Sequence, residues 1–370
     1  MYRIYCLLCI EILPYKMKIH NFSAGPGILP EEVLRKSSEA CINFNGLNLS
    51  LLEISHRSKD FEDVMERARG LVKELLGLGN DYDVLFLQGG ASLQFYMVPM
   101  NMLKTKAAYI NTGTWATEAI SDAKKVGTID IIASSEDKNF TYIPKEFTVP
   151  ADADYLHYTS NNTIYGSQWK KIPETSIPLV CDMSSDIFSK RIDASKFSLI
   201  YAGAQKNMGP AGTTMVAFKK DAVGHTGRSL PKMMDYVQNA KKDSMLNTPP
   251  VFAVYVSMLT MEWLKSNGGL PWIEKVNEMK SNAFYTELDV NPLFRGTVEK
   301  EDRSQMNATF LLNNEALEGE FEKMLKEAGI SGLKGHRSVG GYRASMYNAL
   351  PLESVNVLVS VMREMANKFA

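Results

Sequence analysis

An α/β fold, with a mostly parallel central sheet in a large unit and a smaller α+β unit after it, is predicted by three observations. Seven short apolar runs recur at 84–87, 107–110, 129–133, 155–158, 178–181, 199–202 and 215–218. Helical stretches such as 114–125 separate several of them. After Pro249-Pro250 the texture changes to longer apolar helices. Short apolar strands alternating with helices indicate a parallel sheet buried on both faces.

The elements follow in order. Pro30 opens a helix over 30–43, with Val33, Leu34, Ala40 and Cys41 as its apolar positions. A stronger helix spans 60–76, where Phe61, Val64, Met65, Ala68, Leu71, Val72 and Leu75 keep the 3.6-residue period. The strand at 84–87 runs into Gln88-Gly89-Gly90-Ala91-Ser92, a glycine-rich turn followed by a helix. Beyond the two prolines, helices are expected over 252–264 and 271–287, then a strand near 308–312, a helix near 316–327 and a last helix over 352–369. The division is expected at 17–275 for the large unit and 276–370 for the small one, with the first residues of the large unit packing on the small one. Residues 1–16 read as an extension outside the fold, with Met17 as the true start. No internal repeat is visible.

Composition excludes several classes. Lys+Arg 41 against Asp+Glu 42 gives a net charge of −1, so the basic excess of a nucleic-acid binder is missing. No run approaches the ~18 apolar residues of a membrane helix; the stretch 4–10 is short, meets Glu11 and lacks a small-residue cleavage site. Cys6 and Cys9 form a CxxC with no second pair, and Cys41, Cys181 and the five histidines are too scattered for a zinc site. Reduced thiols of a cytoplasmic protein are the expected reading, with no metal.

Ligands of a doubly wound sheet bind at strand ends. There is no GxGxxG, GxxxxGK[ST] or GxSxG. Three ends carry unusual chemistry. The run 199–202 leads through Gly203-Ala204-Gln205 to Lys206, and small residues there leave room for a bulky ligand. A lysine away from water becomes a nucleophile towards carbonyls. The run 178–181 ends in Asp182, 24 positions before Lys206 (206 − 182). Alone, Asp182 reads as a cap and Lys206 as a solvated charge; together they match a lysine imine and an acid facing a pyridinium nitrogen, the needs of pyridoxal phosphate. The third end, Gln88 to Ser92, offers backbone amides at a helix start for a phosphate. Trp115 opens another helix at a strand end and could stack on a ring.

Longer motifs then carry a resemblance. Phe22-Ser23-Ala24-Gly25-Pro26, Ser55-His56-Arg57, Asp182-Met183-Ser184-Ser185, Ala202-Gly203-Ala204-Gln205-Lys206-Asn207 with Gly209-Pro210-Ala211-Gly212, Asn247-Thr248-Pro249-Pro250, and Gly335-His336-Arg337-Ser338-Val339-Gly340-Gly341-Tyr342-Arg343-Ala344-Ser345 resemble the phosphoserine aminotransferase family. That family belongs to class V of the fold-type I pyridoxal phosphate enzymes. The resemblance covers the chain from Met17 onward and implies a homodimer with active sites at the subunit interface. It implies Lys206 as the Schiff-base lysine and Asp182 as the partner of the pyridine nitrogen. It further implies Trp115 stacked on the ring, Thr163 and Gln205 on its oxygen or phosphate substituents, and Ala91 and Ser92 in the phosphate turn. Asn247 and Thr248 would reach the phosphate from the other subunit. Arg343 would clamp the substrate α-carboxylate, bidentately as a guanidinium can, and His56, Arg57, His336 and Arg337 would meet the distal group. Some family members carry arginine where this chain has Ser92.

The implied function is transamination between L-glutamate and 3-phosphohydroxypyruvate, yielding 2-oxoglutarate and O-phospho-L-serine for serine biosynthesis. For some members the resemblance also implies 4-phosphohydroxy-L-threonine, in pyridoxine biosynthesis. Two rivals remain at this stage. One is another class V enzyme, such as an alanine–glyoxylate transaminase or a cysteine desulfurase; a desulfurase needs a cysteine on a mobile loop, whereas Cys181 ends an apolar run and Cys41 sits in an expected helix. A silent dimer serving as a binding module would lack the absorbance band of a Lys206 imine.

Overall fold

The computed structural model describes residues 18–337 and 339–370. The extension 1–16, the Met17 start, the Cys6–Cys9 pair, the apolar stretch 4–10 and Ser338 lie outside the described residues.

The large sheet has seven strands: β2 (Tyr82–Leu87), β3 (Lys106–Asn111), β4 (Thr128–Ser134), β5 (Leu156–Thr159), β6 (Leu179–Asp182), β7 (Leu199–Gly203) and β8 (Thr214–Lys219). Their order is β2-β8-β7-β6-β5-β3-β4. The sheet is mostly parallel, as expected: β8 runs antiparallel to both β2 and β7, and the remaining pairs are parallel. Only residues 204–213 separate β7 from β8, too few for a crossover helix, and antiparallel neighbours need none.

Helices α1 (Glu31–Ile42), α2 (Lys59–Leu76), α3 (Gly90–Met102), α4 (Thr114–Ala123), α5 (Tyr236–Ala240) and α6 (Val251–Ser266) surround the sheet. Local chemistry sets their ends. In α2, Asp60 and Glu62 lie in the first turn, Lys73 in the last, and Gly77 takes the left-handed cap at φ 65°. One face of the sheet buries Val84, Ala108, Tyr158 and Ile200 against α1, α2 and α6, the other Leu85, Tyr109, Val180 and Tyr201 against α3 and α4. Both faces are therefore dry, as the continuous apolar strands require.

A separate core gathers Phe22 with Phe284, Phe310, Phe321, Tyr342 and Met362. It lies among α7 (Gly269–Val290), α8 (Glu318–Glu327), α9 (Leu352–Phe369) and an antiparallel sheet of β9 (Phe294–Gly296), β10 (Asn307–Leu312) and β12 (Tyr342–Ser345), ordered β12-β10-β9. The strand β1 (His20–Asn21) pairs in parallel with β11 (Ile330–Ser331), so the first described residues join this core. α7 runs from one core to the other, with Leu270 and Ile273 in the first and Phe284 and Leu288 in the second. Among the described residues no helix is long and apolar enough to cross a membrane.

Candidate active site

The segments that follow β2, β3, β5 and β7 meet at one cavity of about 450 Å³, with Gly90, Trp115, Thr163, Gln205, Lys206, His336 and Arg343 in its wall; Asp182, at the end of β6, is not among the lining residues. Each strand delivers its residue through a short turn. β6 ends in Asp182, which stands opposite Tyr201 of β7 in the ladder. After β7 the chain bends so that Met208 and Gly209 both donate to the carbonyl of Ala204, and this turn presents Lys206. The segment 24–27 packs over that turn: Gly27 N–H donates to Gln205 O at 2.7 Å, and a Cβ on Gly27 would lie 2.8 Å from Lys206 O and 2.9 Å from the Tyr347 ring. Only glycine fits there.

Asp182 is buried and only its Oδ1 is engaged among the described residues, by the Ser184 N–H at 2.9 Å and the Ser184 hydroxyl at 2.6 Å. Burial raises its pKa, opposed by Lys206 and by the two bonds from Ser184. Lys206 shows the complement. Removal from bulk water lowers its ammonium pKa, Asp182 works against that shift, and Arg343 adds to it. A more readily deprotonated amine beside a carboxylate with a free oxygen is the donor set a pyridoxal ring needs.

Above Lys206, whose Nζ lies 5.3 Å from the centre of the Trp115 ring, the indole is fixed by its own Nε1–H, which donates to Thr163 Oγ1 at 2.9 Å. Thr163 also accepts at its carbonyl from Arg343 Nη1 at 2.9 Å, while the buried Nε of Arg343 has no partner among the described residues. A guanidinium held at one corner with a donor unspent suits a carboxylate ligand. At the opposite wall, Gly89 and Gly90 take φ of 93° and 67°, turning β2 into α3. Gly90, the first residue of that 13-residue helix, lines the cavity, whereas Ala91 and Ser92 are not among the lining residues. Ala91 and Ser92 occupy its first turn, as a phosphate cradle requires. The cavity size, the paired Lys206 and Asp182, the indole face and the amide turn together fit pyridoxal phosphate.

Not every residue that the sequence singled out is in this wall. His56 and Arg57 lie in the turns before α2, and Asn247 and Thr248 are exposed ahead of α6. The Thr248 carbonyl accepts from Gln88 Nε2 at 3.0 Å, beside the start of α3. Arg337 is exposed in the turn next to His336. Conversely, Ala24, Gly25, Pro26, Ile164, Ala211, Gly212 and Thr213 line the cavity without having been assigned a role. For Ala24, Gly25, Pro26, Ala211 and Gly212 the signal lay in two of the motifs above, Phe22 to Pro26 and Gly209 to Gly212, whose small residues permit close approach; Ile164 and Thr213 lie in neither.

Residues 19–358 match the family described as aminotransferase class-V. The phosphoserine aminotransferase of Flavobacterium psychrophilum is 62% identical over 355 residues, covering 95% of this chain and all of that protein. That of Porphyromonas gingivalis is 57% identical, with 95% and 100% covered. Among solved structures, phosphoserine aminotransferase from Bacillus circulans subsp. alkalophilus superposes with a TM-score of 0.92 at 43% identity, covering 95% of this chain and 99% of that one. The pyridoxal-phosphate-bound enzyme from Trichomonas vaginalis gives 0.87 at 33%, with 94% and 100% covered. The chain belongs to the class-V aminotransferases, within their phosphoserine aminotransferase family.

Proposed function

We propose that this cavity carries out transamination between L-glutamate and 3-phosphohydroxypyruvate, giving 2-oxoglutarate and O-phospho-L-serine, with pyridoxal 5′-phosphate as its cofactor. The observation that carries the reading is the meeting of Lys206, Trp115, Thr163 and Arg343 in one cavity beside Gly90 at the start of α3, with the buried Asp182 carboxylate acting on the Lys206 ammonium. Lys206, Asp182, Trp115, Thr163, Gln205, Ala91 and Ser92 would hold the cofactor. When bound, it supplies the electron sink for the substrate Cα–H bond.

The chain's own groups do the rest. The Lys206 amine, with its lowered pKa, takes the proton from the substrate Cα in the glutamate half-reaction and returns one to Cα in the other. The Asp182 carboxylate, held at Oδ1 by Ser184, offers Oδ2 to a positive nitrogen. Arg343 binds the α-carboxylate that both substrates share. His336 at the cavity wall, with Arg337, His56 and Arg57, would meet the distal carboxylate or phosphate. Because Asn247, Thr248, His56 and Arg57 do not line their own chain's cavity, a homodimer whose copies complete each other's sites is part of the proposal. A division into a 17–275 large unit and a 276–370 small unit is also proposed; two separate cores that share α7 support it, with Phe22 from the first range packing in the second core. Free Cys41 and Cys181 agree with a reducing, cytoplasmic setting. Cys181 is buried in β6, and burial pushes its thiol pKa up, which weighs against desulfurase chemistry.

The test is a coupled assay with glutamate and 3-phosphohydroxypyruvate, together with the absorbance band of a Lys206 imine. Turnover with that band is the expected result, and neither appearing would defeat the reading. The 4-phosphohydroxythreonine reaction, which makes the same demands on the pocket, is the second substrate to assay.

A further inference from the structure

Arg343 and Asp182 must act on opposite ends of one small substrate–cofactor assembly, yet they stand on different sheets. At the cavity, Arg343 Nη1 reaches Thr163 O by one bond from a long and flexible side chain, and Thr309, opposite Arg343 in the ladder, donates its hydroxyl to Tyr165 O at 2.7 Å; neither bond reaches Asp182. Reacting groups need placement to a fraction of an ångström, and an error of about 1 Å costs on the order of 10²-fold in rate. Something behind the cavity has to set the spacing.

Behind it lies a pair of buried amides. Asn161, two positions before Thr163, donates through Nδ2 to Ser185 Oγ and to Asn307 Oδ1, both at 2.8 Å, and accepts at Oδ1 from Ser304 Oγ at 2.5 Å. Asn307, on β10, donates through Nδ2 to Ser345 Oγ at 2.9 Å and to Tyr347 Oη at 3.3 Å. Both hydrogens and the oxygen of each amide are used, which fixes which way each amide faces. The ends of this network are the groups that build the site. Ser185 follows Ser184, the residue that holds Asp182. Ser345 stands opposite Asn307 in the ladder, two residues along β12 from Arg343 and on the same face. Tyr347 donates to the carbonyl of Ala24 in the cavity wall at 2.7 Å, and burial holds its phenol near a pKa of about 12, so it remains a donor at neutral pH. Asn161 and Asn307 are buried and neither lines the cavity.

We propose that Asn161 and Asn307 are positioning residues for the transamination, setting Arg343 against Asp182 and Thr163. The proposal rests on the functional reading above. It makes an asymmetric demand on isosteric substitutions. Asn161→Asp turns a carboxylate oxygen onto Asn307 Oδ1, two acceptors face to face. Asn307→Asp keeps its acceptor towards Asn161 and turns the new oxygen onto Ser345 Oγ, which can rotate to donate, and onto Tyr347 Oη, whose hydrogen is held by Ala24 O, so one new acceptor contact is relieved and one is not.

The test uses the holoenzymes of wild type, Asn161→Asp, Asn307→Asp and Ser304→Ala, and measures glutamate KM, kcat, melting temperature and the Lys206 absorbance band. The expected result is a kcat/KM for glutamate reduced roughly 10²-fold in Asn161→Asp, with KM raised, since Arg343 is displaced. Asn307→Asp should fall clearly less, and Ser304→Ala should move in the same direction as Asn161→Asp. All should keep the Lys206 band. If Asn161→Asp does not fold, the other two variants carry the test. Folded variants with lower melting temperatures but KM and kcat within twofold of wild type would reduce the pair to packing and overturn the proposal. Loss of the band together with turnover would assign the pair to cofactor retention and would overturn it equally. A wild type with no turnover of glutamate would defeat the functional reading itself, a separate outcome.

Discussion

Lys206 and Arg343 share a cavity wall but ask different questions of a mutation. Lys206→Ala should fold, because the side chain faces the cavity and not a core, yet lose its absorbance band and at least about 10²–10⁴-fold in turnover, the usual worth of a positioned proton carrier. A retained imine spectrum would refute the assignment. Arg343→Ala should damage both half-reactions, because glutamate and phosphohydroxypyruvate both bring an α-carboxylate. Arg337→Ala should weaken the phosphohydroxypyruvate half-reaction more. A phosphate carries about −1.5 to −2 charges at neutral pH, and charge-assisted bonds contribute roughly 1.5–3 kcal/mol each. Single-turnover kinetics of each half-reaction decide it: equal losses in Arg337→Ala would make the His336-Arg337 turn a shaping element only. At this scale the sequence is readable where chemistry follows an apolar run, as at Asp182 and Lys206. It is silent on Asn161 and Asn307, because a buried amide pair leaves no local pattern when its members are 146 positions apart.

At the scale of elements, α7 carries a lysine with no carboxylate partner among the described residues. Lys280 is fully buried and, among those residues, donates to the carbonyls of Met346 at 3.0 Å and Tyr347 at 2.7 Å, bracing the end of the strand that bears Arg343. Burial lowers its pKa from 10.5 to about 7. Between those values the unfolded chain binds the proton that the folded chain has shed, so this group makes stability rise with pH from about 7 to about 10.5, by at most about 1.4 kcal/mol per pH unit. Urea unfolding at pH 7.0 and 9.5 should therefore show wild type gaining on Lys280→Met as pH rises. A constant difference between the two proteins would show that Lys280 keeps its charge in the fold. Most elements were legible from the sequence because they are long or continuously apolar: α2 keeps its helical period over 18 residues, and β6 and β7 are buried throughout. The direction of β8 was not, because an apolar run looks the same read up or down a sheet. The two-residue β1 and β11 were not either, being too short to show any period.

For the whole molecule, the decisive question is whether one chain makes a complete site. Its cavity gathers the ring-facing and α-carboxylate groups, while Asn247 and Thr248 stand exposed beside the start of α3 and His56 and Arg57 stand before α2, none of them in that wall. The segment 247–248 precedes two prolines, which keep it extended and outside α6. Exposed apolar side chains accompany it on the same molecule: Leu34, Ile42, Leu49 and Leu52, each at least 49% exposed, lie on α1 and the turn that follows. Several large exposed apolar residues in one region often mark a protein–protein contact, in keeping with the proposed homodimer. The prediction is intersubunit complementation. Lys206→Ala and Thr248→Glu are each expected to be inactive, the first without its amine and the second with a carboxylate placed against a phosphate. In a mixed dimer with shared sites, one site inherits both lesions and the other inherits neither, so mixing the two proteins should restore up to about half of the wild-type activity per mixed dimer. If each chain completed its own site, both sites of the mixed dimer would remain dead. Activity measured after subunit exchange, with exchange verified by tagged chains, separates these cases, and no recovery would confine Thr248 to its own chain.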